Sequence, residues 1–147
     1  MTPARPTRMS EAGDPEHDVV AALLRRAGRV LLCHRSPDRR WFPDVWDFPG
    51  GHVEPDESAE DALAREIEEE IGVVIARPID PPLATHEDGD LRLRIWLVRS
   101  WEGEPENAQP DEHDQIAWFT LAEARQLRLA DSSYVDLIER ASLTNEP

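Results

Sequence analysis

Residues 58–71 constrain the fold most, because their pattern predicts a helix whose charges oppose one another. Apolar residues recur at intervals of three and four and form one stripe: Ala62, Leu63, Ile67 and Ile71. Glu66, Glu69 and Glu70 share an adjacent face, where each pair of like charges costs roughly 0.2–0.5 kcal/mol. These carboxylates also lie in the last turns, beside the negative end of the helix dipole. A divalent cation such as Mg²⁺ or Mn²⁺ would resolve this conflict, since both ions take oxygen ligands.

The residues around this stretch predict where the helix begins and ends. Asp56, Glu57 and Ser58, with Pro55 just before them, are typical of a helix start, and Gly72 is typical of a helix end. Ahead of them, the run Pro49-Gly50-Gly51 has little side-chain bulk, which lets a carbonyl group or a phosphate approach closely. The pattern therefore predicts a helix that packs by one side while its acidic face lines a cleft.

The composition excludes several classes of protein. The 147 residues suffice for one domain with a single core. A net charge of -15 argues against binding to a nucleic-acid polymer or an anionic membrane, since such binding depends on Lys and Arg. The single cysteine, Cys33, excludes an intramolecular disulfide and a cysteine metal cluster. The sequence shows no long apolar run and no signal segment, so we expect a cytoplasmic protein, either a monomer or a homodimer.

Strands are predicted on both sides of the acidic helix. Residues 1–16 have no periodicity and are predicted to be a flexible N-terminal arm, which leaves residues 17–147 as a single domain. Apolar runs over 17–24 and 30–35 predict a hairpin with both faces covered. Further strands are predicted over 45–49, 73–78, 83–86, 91–101 and 115–119, and helices over 121–127 and 132–141.

The spacing of the glycines and acids resembles a known signature. It reads Gly51-x5-Glu57-x7-Arg65-Glu66-Ile67-x-Glu69-Glu70-x-Gly72-Val73, and every position matches the signature of the Nudix hydrolases. Seven fixed residue types make a chance match at a given start on the order of one in a hundred million or less. Residues 31–35, 46–51, 96–105 and 118–119 also resemble the MutT branch of this family, the nucleoside triphosphate pyrophosphohydrolases.

This resemblance implies both a fold and a reaction. The implied fold is α/β, a Nudix-type α/β/α sandwich with a mixed β-sheet. The implied reaction is hydrolysis of a common or oxidised nucleoside triphosphate to the monophosphate and pyrophosphate, with Mg²⁺ or Mn²⁺ as cofactor. Such ions lower the pKa of bound water and neutralise the phosphate oxygens. The positions that match the family's metal ligands are the Gly50 carbonyl, Glu66, Glu69 and Glu70.

The catalytic residues implied by the resemblance are Glu66, Glu69 and Glu112. Glu66 is expected to be the general base while also holding the metal. Glu112 lies on a polar loop where MutT-like enzymes carry an extra carboxylate, and it is expected to assist. Glu57 and Arg65 are expected to form an ion pair that orients Glu66.

Three residues are candidates for substrate binding. Arg35 matches a family position that contacts phosphate, although a surface position at a strand end suits it equally. Phe48 could pack on a base or belong to the core. Asp131 matches a position that reads the base; an ionised carboxylate only accepts hydrogen bonds, so a guanine or a cytosine amino group would suit it. A helix N-cap suits Asp131 equally well. Asp47 and Glu54 are further candidates for the site.

Other functions remain open at the level of sequence. Part of the segment before Phe48 resembles coenzyme A pyrophosphatases, and ADP-ribose is another possible substrate. A Nudix-fold module that senses a nucleotide without catalysis is a third alternative, although this chain has kept every metal-ligand position. The histidines have no metal-ligand spacing among themselves and are predicted to be loop or surface residues: His34, His52, His86 and His113.

Overall fold

The computed structural model describes residues 15–40 and 42–143. The predicted N-terminal arm lies outside the described residues, apart from Pro15 and Glu16. The strands are β1 His17–Arg26, β2 Arg29–Arg35, β3 Trp46–Asp47, β4 Gly50–His52, β5 Ala84–Asp88, β6 Leu91–Val98 and β7 His113–Phe119. The helices are α1 Ala59–Ile71, α2 Leu121–Ala124 and α3 Tyr134–Leu143. Within this part of the chain, no helix is both long enough and apolar enough to span a membrane.

Strand β1 organises the sheet, because it pairs with three different strands. It runs parallel to β6 from His17 to Leu24 and antiparallel to β4 from Val19 to Ala21. The hairpin with β2 is confined to the end of the strand, where Arg25 pairs with Val30. Strands β3 and β7 both pair with β2, and β5 pairs with β6. The sheet is therefore mixed, as predicted.

The continuous apolar run of β1 reflects burial of both faces of the sheet. Val20 and Leu24 belong to a core cluster that also contains the apolar stripe of α1. Ala21 and Leu23 point the other way, into a second cluster formed with α3. Successive side chains of a strand point to opposite faces, so one strand serves both cores. The predicted α/β/α sandwich is confirmed.

The ends of helix α1 are fixed by the chain on either side. The Ser58 hydroxyl accepts from the Asp61 N–H at 3.0 Å, and Gly72 adopts a left-handed conformation with φ 73°. The last carbonyl groups of a helix need outside donors. The loop before β7 supplies two of them, because the Glu106 N–H donates to Ile71 O and the Ala108 N–H donates to Glu70 O, both at 3.0 Å. This contact holds the loop against the acidic end of the helix.

Several predicted boundaries were wrong. The strand predicted over 73–78 is absent, and this segment makes a single bridge between Val74 and Glu102. The segment that pairs with Val74 turns at Gly103, directly after Glu102, so the pairing stops there. The φ angle of Gly103 is 98°. The strand predicted over 91–101 ends at Val98, and the helix predicted over 121–127 ends at Ala124. Strand β4 was not predicted, since glycine has little strand preference of its own.

Candidate active site

The two glycines of β4 bring the backbone into contact with helix α1. A Cβ atom at Gly50 would clash with the backbone carbonyl of Val20, and one at Gly51 would clash with the carboxylate of Glu66. The Gly50 N–H donates a hydrogen bond to Glu70 Oε1 at 2.9 Å. The absence of side chains on β4 is therefore what allows the acidic face of the helix to lie against the sheet.

Glu70 is the most enclosed carboxylate of the acidic face, with only 5% of the residue exposed. Burial raises the pKa of Glu70 well above its ordinary value, and the charges of Glu112 and Glu66 raise it further. The Gly50 N–H opposes this rise. One carboxylate oxygen of Glu112 lies within 4.8 Å of a carboxylate oxygen of Glu70. Two acidic groups are therefore close together in a partly buried site, where a bound cation would stabilise their charged forms.

His113 lies beside this pair, and the prediction that it is a loop or surface residue was wrong. It begins strand β7 and is only 3% exposed. Burial lowers the pKa of His113 to about 4, so its ring is neutral at pH 7. One ligand atom from each of Glu70, Glu112 and His113 lies within 4.8 Å of the other two. Sequence spacing missed this group, because Glu70 and His113 come from distant parts of the chain.

Arg65 connects the rest of the acidic face. Its Nε and Nη2 donate to the two carboxylate oxygens of Glu57 at 2.7 and 2.9 Å, and its Nη1 donates to Glu66 Oε2 at 2.9 Å. A further bond at 3.0 Å reaches the carbonyl oxygen of His52 on β4. The hydrogen bonds from Arg65 lower the pKa of Glu57 to about 2. The structure thus contains the expected ion pair, in contact with Glu66; its role in catalysis stays a prediction.

The three glutamates of the helix have different environments. Burial raises the pKa of Glu66, although Arg65 opposes the rise. The Glu69 side chain is 51% exposed, and Arg65 Nη1 lies 3.4 Å from its Oε1. Glu112 projects from its loop, where Arg39 Nη1 lies 3.6 Å from Oε1. Arg39 was not among the predicted residues, since its loop position gives no periodic signal.

This donor set fits a hard divalent cation. The charge of Glu112 disfavours ionisation of the buried Glu70, and Glu66 is held close by against the cost of its own burial. Carboxylate oxygens are the ligands that Mg²⁺ and Mn²⁺ take in proteins. The residues positioned to hold such an ion are the predicted ones, Gly50, Glu66, Glu69 and Glu70, together with Glu112. Their assignment as ligands stays a prediction.

Arg35 lies at the end of β2, next to the acidic residues. Its Nε donates to the carbonyl oxygen of Phe42 at 2.9 Å. Burial lowers the pKa of Arg35, and the neighbouring charges of Asp47, Glu70 and Glu112 oppose this change. The guanidinium therefore already neutralises part of the acidic site. Its contact with a phosphate stays a prediction.

Phe48 and Asp131 lie on the opposite face of the sheet, near the start of α3. Phe48 is 4% exposed, and its ring centre lies 4.5 Å from that of Tyr134. Asp131 Oδ1 accepts from Ser133 N at 2.8 Å and from Ser133 Oγ at 2.7 Å, and these bonds lower its pKa. Asp131 thus shapes the turn into α3, while substrate contact by either residue stays a prediction.

Asp47 lies between Arg35 at the acidic site and the region around Phe48 and Asp131. The sequence did not indicate how deeply its carboxyl group is buried. Although part of the residue reaches solvent, its carboxyl group is surrounded by protein, and burial raises its pKa to about 6. Asp47 Oδ1 accepts from the Phe48 N–H at 2.8 Å, and this bond and the nearby Tyr134 side chain oppose the rise in pKa. The sequence signal for Asp47 was its place in the stretch 46–51 that resembles the MutT branch.

Comparison with known proteins agrees with this geometry. The model of the NUDIX domain family matches residues 15–140. The CTP pyrophosphohydrolase of Escherichia coli (strain K12) is 36% identical over 126 residues, which cover 83% of this chain and 88% of that protein. The nucleoside triphosphatase NudI of Klebsiella pneumoniae (strain 342) is 46% identical over 139 residues, covering 87% and 99% of the two chains.

Solved structures give the same result. The crystal structure of a MutT NUDIX hydrolase from Burkholderia pseudomallei superposes with a TM-score of 0.72 at 31% identity, covering 84% of this chain and 95% of that one. The solution structure of the E. coli ORF135 protein gives a TM-score of 0.69 at 31% identity, covering 88% and 94%. The signature, the sandwich fold and these relatives together show that the chain belongs to the NUDIX family and is a Nudix hydrolase.

Proposed function

We propose that this protein hydrolyses a nucleoside triphosphate to the nucleoside monophosphate and pyrophosphate with the help of Mg²⁺ or Mn²⁺. The observation that carries the proposal is that Glu66 and Glu70 lie against the glycines of β4, with a carboxylate oxygen of Glu112 within 4.8 Å of Glu70. The named activities of the two relatives, a CTP pyrophosphohydrolase and a nucleoside triphosphatase, support the same class of substrate.

The residues would divide the chemistry as follows. The Gly50 carbonyl, Glu66, Glu69 and Glu70 would hold the divalent ion, which supplies positive charge to the phosphate oxygens and lowers the pKa of a bound water. Glu66 accepts the proton of the attacking water, and Arg65 keeps its carboxylate in place. Burial raises the pKa of Glu70, and only its ionised form can act as a ligand, so metal affinity should rise with pH.

Substrate recognition would use both faces of the sheet. Arg35 would contact a phosphate group at the acidic site, and Phe48 and Asp131 would form part of the base pocket near α3. Hydrogen bonds from Ser133 keep Asp131 ionised, so it can accept but not donate. This favours a base with an exocyclic amino group. CTP is the first such substrate to test, because one relative carries that activity in its name.

The test is a product assay with saturating Mg²⁺ over CTP, dCTP, GTP, dGTP and their oxidised forms, with ADP-ribose and coenzyme A in parallel. We expect pyrophosphate, not phosphate, from at least one triphosphate, and none in EDTA. Glu70→Gln should lose at least about 100-fold in turnover, because it removes an ionised ligand. Turnover that survives EDTA, or cleavage of ADP-ribose or coenzyme A alone, would overturn the proposal. No cleavage at all would favour a nucleotide sensor.

A further inference from the structure

We propose that His113 donates an imidazole nitrogen to the divalent ion held by Glu70 and Glu112, so that the site has both oxygen and nitrogen ligands. The proposal rests on the function proposed above, because it assigns a further ligand to the same ion. It goes beyond the Nudix signature, which contains only glutamates and a glycine carbonyl at its metal positions.

The geometry around His113 points to a ligand. One atom from each of Glu70, Glu112 and His113 lies within 4.8 Å of the others, close enough for a single ion to contact all three. The residue is 3% exposed, whereas its neighbour Asp114 has a side chain that is 47% exposed. Among the described residues, the Nδ1 atom of His113 is buried and has no hydrogen-bond partner. A buried polar group without a partner is uncommon and calls for an explanation.

The loop before β7 fixes the backbone of His113 relative to the helix. Asn107 Nδ2 donates to the His113 carbonyl oxygen at 2.7 Å, and the His113 N–H donates to the Gln109 carbonyl oxygen at 3.0 Å. Ala108 follows Asn107, and its N–H donates to the carbonyl oxygen of Glu70 itself. The histidine and the buried glutamate are thus tied through a short run of backbone, which is how a ligand is held ready for a metal.

A nitrogen ligand changes the expected choice of metal. Mg²⁺ prefers an all-oxygen shell, whereas Mn²⁺ and later transition ions accept imidazole more readily. The wild-type protein should therefore bind Mn²⁺ more tightly than Mg²⁺. Replacing His113 by Gln should lower Mn²⁺ affinity by at least about tenfold, the loss that follows when a metal site loses a supporting group. The affinity for Mg²⁺ should fall much less.

The direct experiment is pulsed electron paramagnetic resonance on the protein loaded with Mn²⁺. We expect modulation from a ¹⁴N nucleus bound to the ion in the wild type, and a change of this modulation when the histidines carry ¹⁵N. His113→Gln should abolish the nitrogen modulation. His17→Gln should keep it, because His17 is an exposed residue of β1. Isothermal titration with Mn²⁺ and with Mg²⁺ supplies the affinities of all three proteins.

Each outcome separates this proposal from the function on which it rests. Bound Mn²⁺ without nitrogen modulation in the wild type would overturn the role of His113 and leave the proposed function standing. Modulation that persists in His113→Gln would do the same. If the wild type binds neither ion, both proposals fail. The isotope comparison uses only the wild-type chain, so modulation that does not change with ¹⁵N-labelled histidine would overturn the proposal even if His113→Gln does not fold.

Discussion

Replacing Asp47 by Asn is expected to stabilise the metal-free protein at neutral pH. The Asp47 carboxyl group lies among protein atoms, where burial raises its pKa from 3.8 to about 6. Asn keeps the shape of the side chain and can still accept the hydrogen bond that the Phe48 N–H donates to Oδ1 at 2.8 Å. The substitution therefore removes the titration while preserving the local contact.

The sign and size of the effect follow from the two pKa values. Between pH 3.8 and about 6 the unfolded chain loses the Asp47 proton while the folded protein still keeps it. The free energy of unfolding of the wild type therefore falls as the pH rises through this window and stays low above it. At 1.36 kcal/mol per pH unit, the total fall is about 3 kcal/mol. This value is an upper limit, because part of the residue reaches solvent.

Urea denaturation in EDTA, followed by tryptophan fluorescence from pH 4 to pH 8, measures this difference. Asp47→Asn should be more stable than the wild type by about 1–3 kcal/mol at pH 8, and the difference should nearly vanish at pH 4. Asp38→Asn is the matched control, since Asp38 is exposed; it should stay within about 0.5 kcal/mol of the wild type. A variant less stable than the wild type at pH 8, or a difference independent of pH, would refute the reasoning.

Three further substitutions test the acidic face. Gly51→Ala places a Cβ atom against the Glu66 carboxylate and should lower kcat by about 100-fold through displacement of that group; an unchanged kcat would contradict its role. Arg65→Lys loses the two-pronged contact with Glu57, so urea denaturation should show a loss of about 1–2 kcal/mol, and no loss would show that the contact contributes nothing. Glu69→Gln should lose most turnover while its free energy of unfolding in EDTA changes by less than about 1 kcal/mol, because the side chain is 51% exposed; wild-type turnover would exclude Glu69 as a ligand.

The parts of the fold that depend on neighbours in the chain were predicted well. Helix α1 runs over Ala59–Ile71 with its cap at Ser58 and its end at Gly72, close to the predicted 58–71. The apolar run of β1 predicted a strand buried on both faces, and two core clusters cover it. Helical periodicity and capping act over a few residues, so they can be read locally.

Contacts between distant residues were harder to predict. Strand β4 consists of Gly50–His52, and it forms only because β1 offers a partner at close range. Val74 makes only a single bridge, because the segment opposite it turns away at Gly103 and offers no further partner. A short segment of weak intrinsic preference becomes a strand, or does not, according to what lies beside it.

The sequence by itself determined the family, the acidic helix and the residue types that we propose as metal ligands. Only the tertiary structure decided how those residues differ: Glu70 is buried beside Glu112 and His113, whereas the Glu69 side chain is half exposed. The physical reason is that a carboxylate's pKa and its partners depend on burial and on charges within a few ångströms. Those neighbours come from a loop far along the chain, and folding alone brings them to the helix.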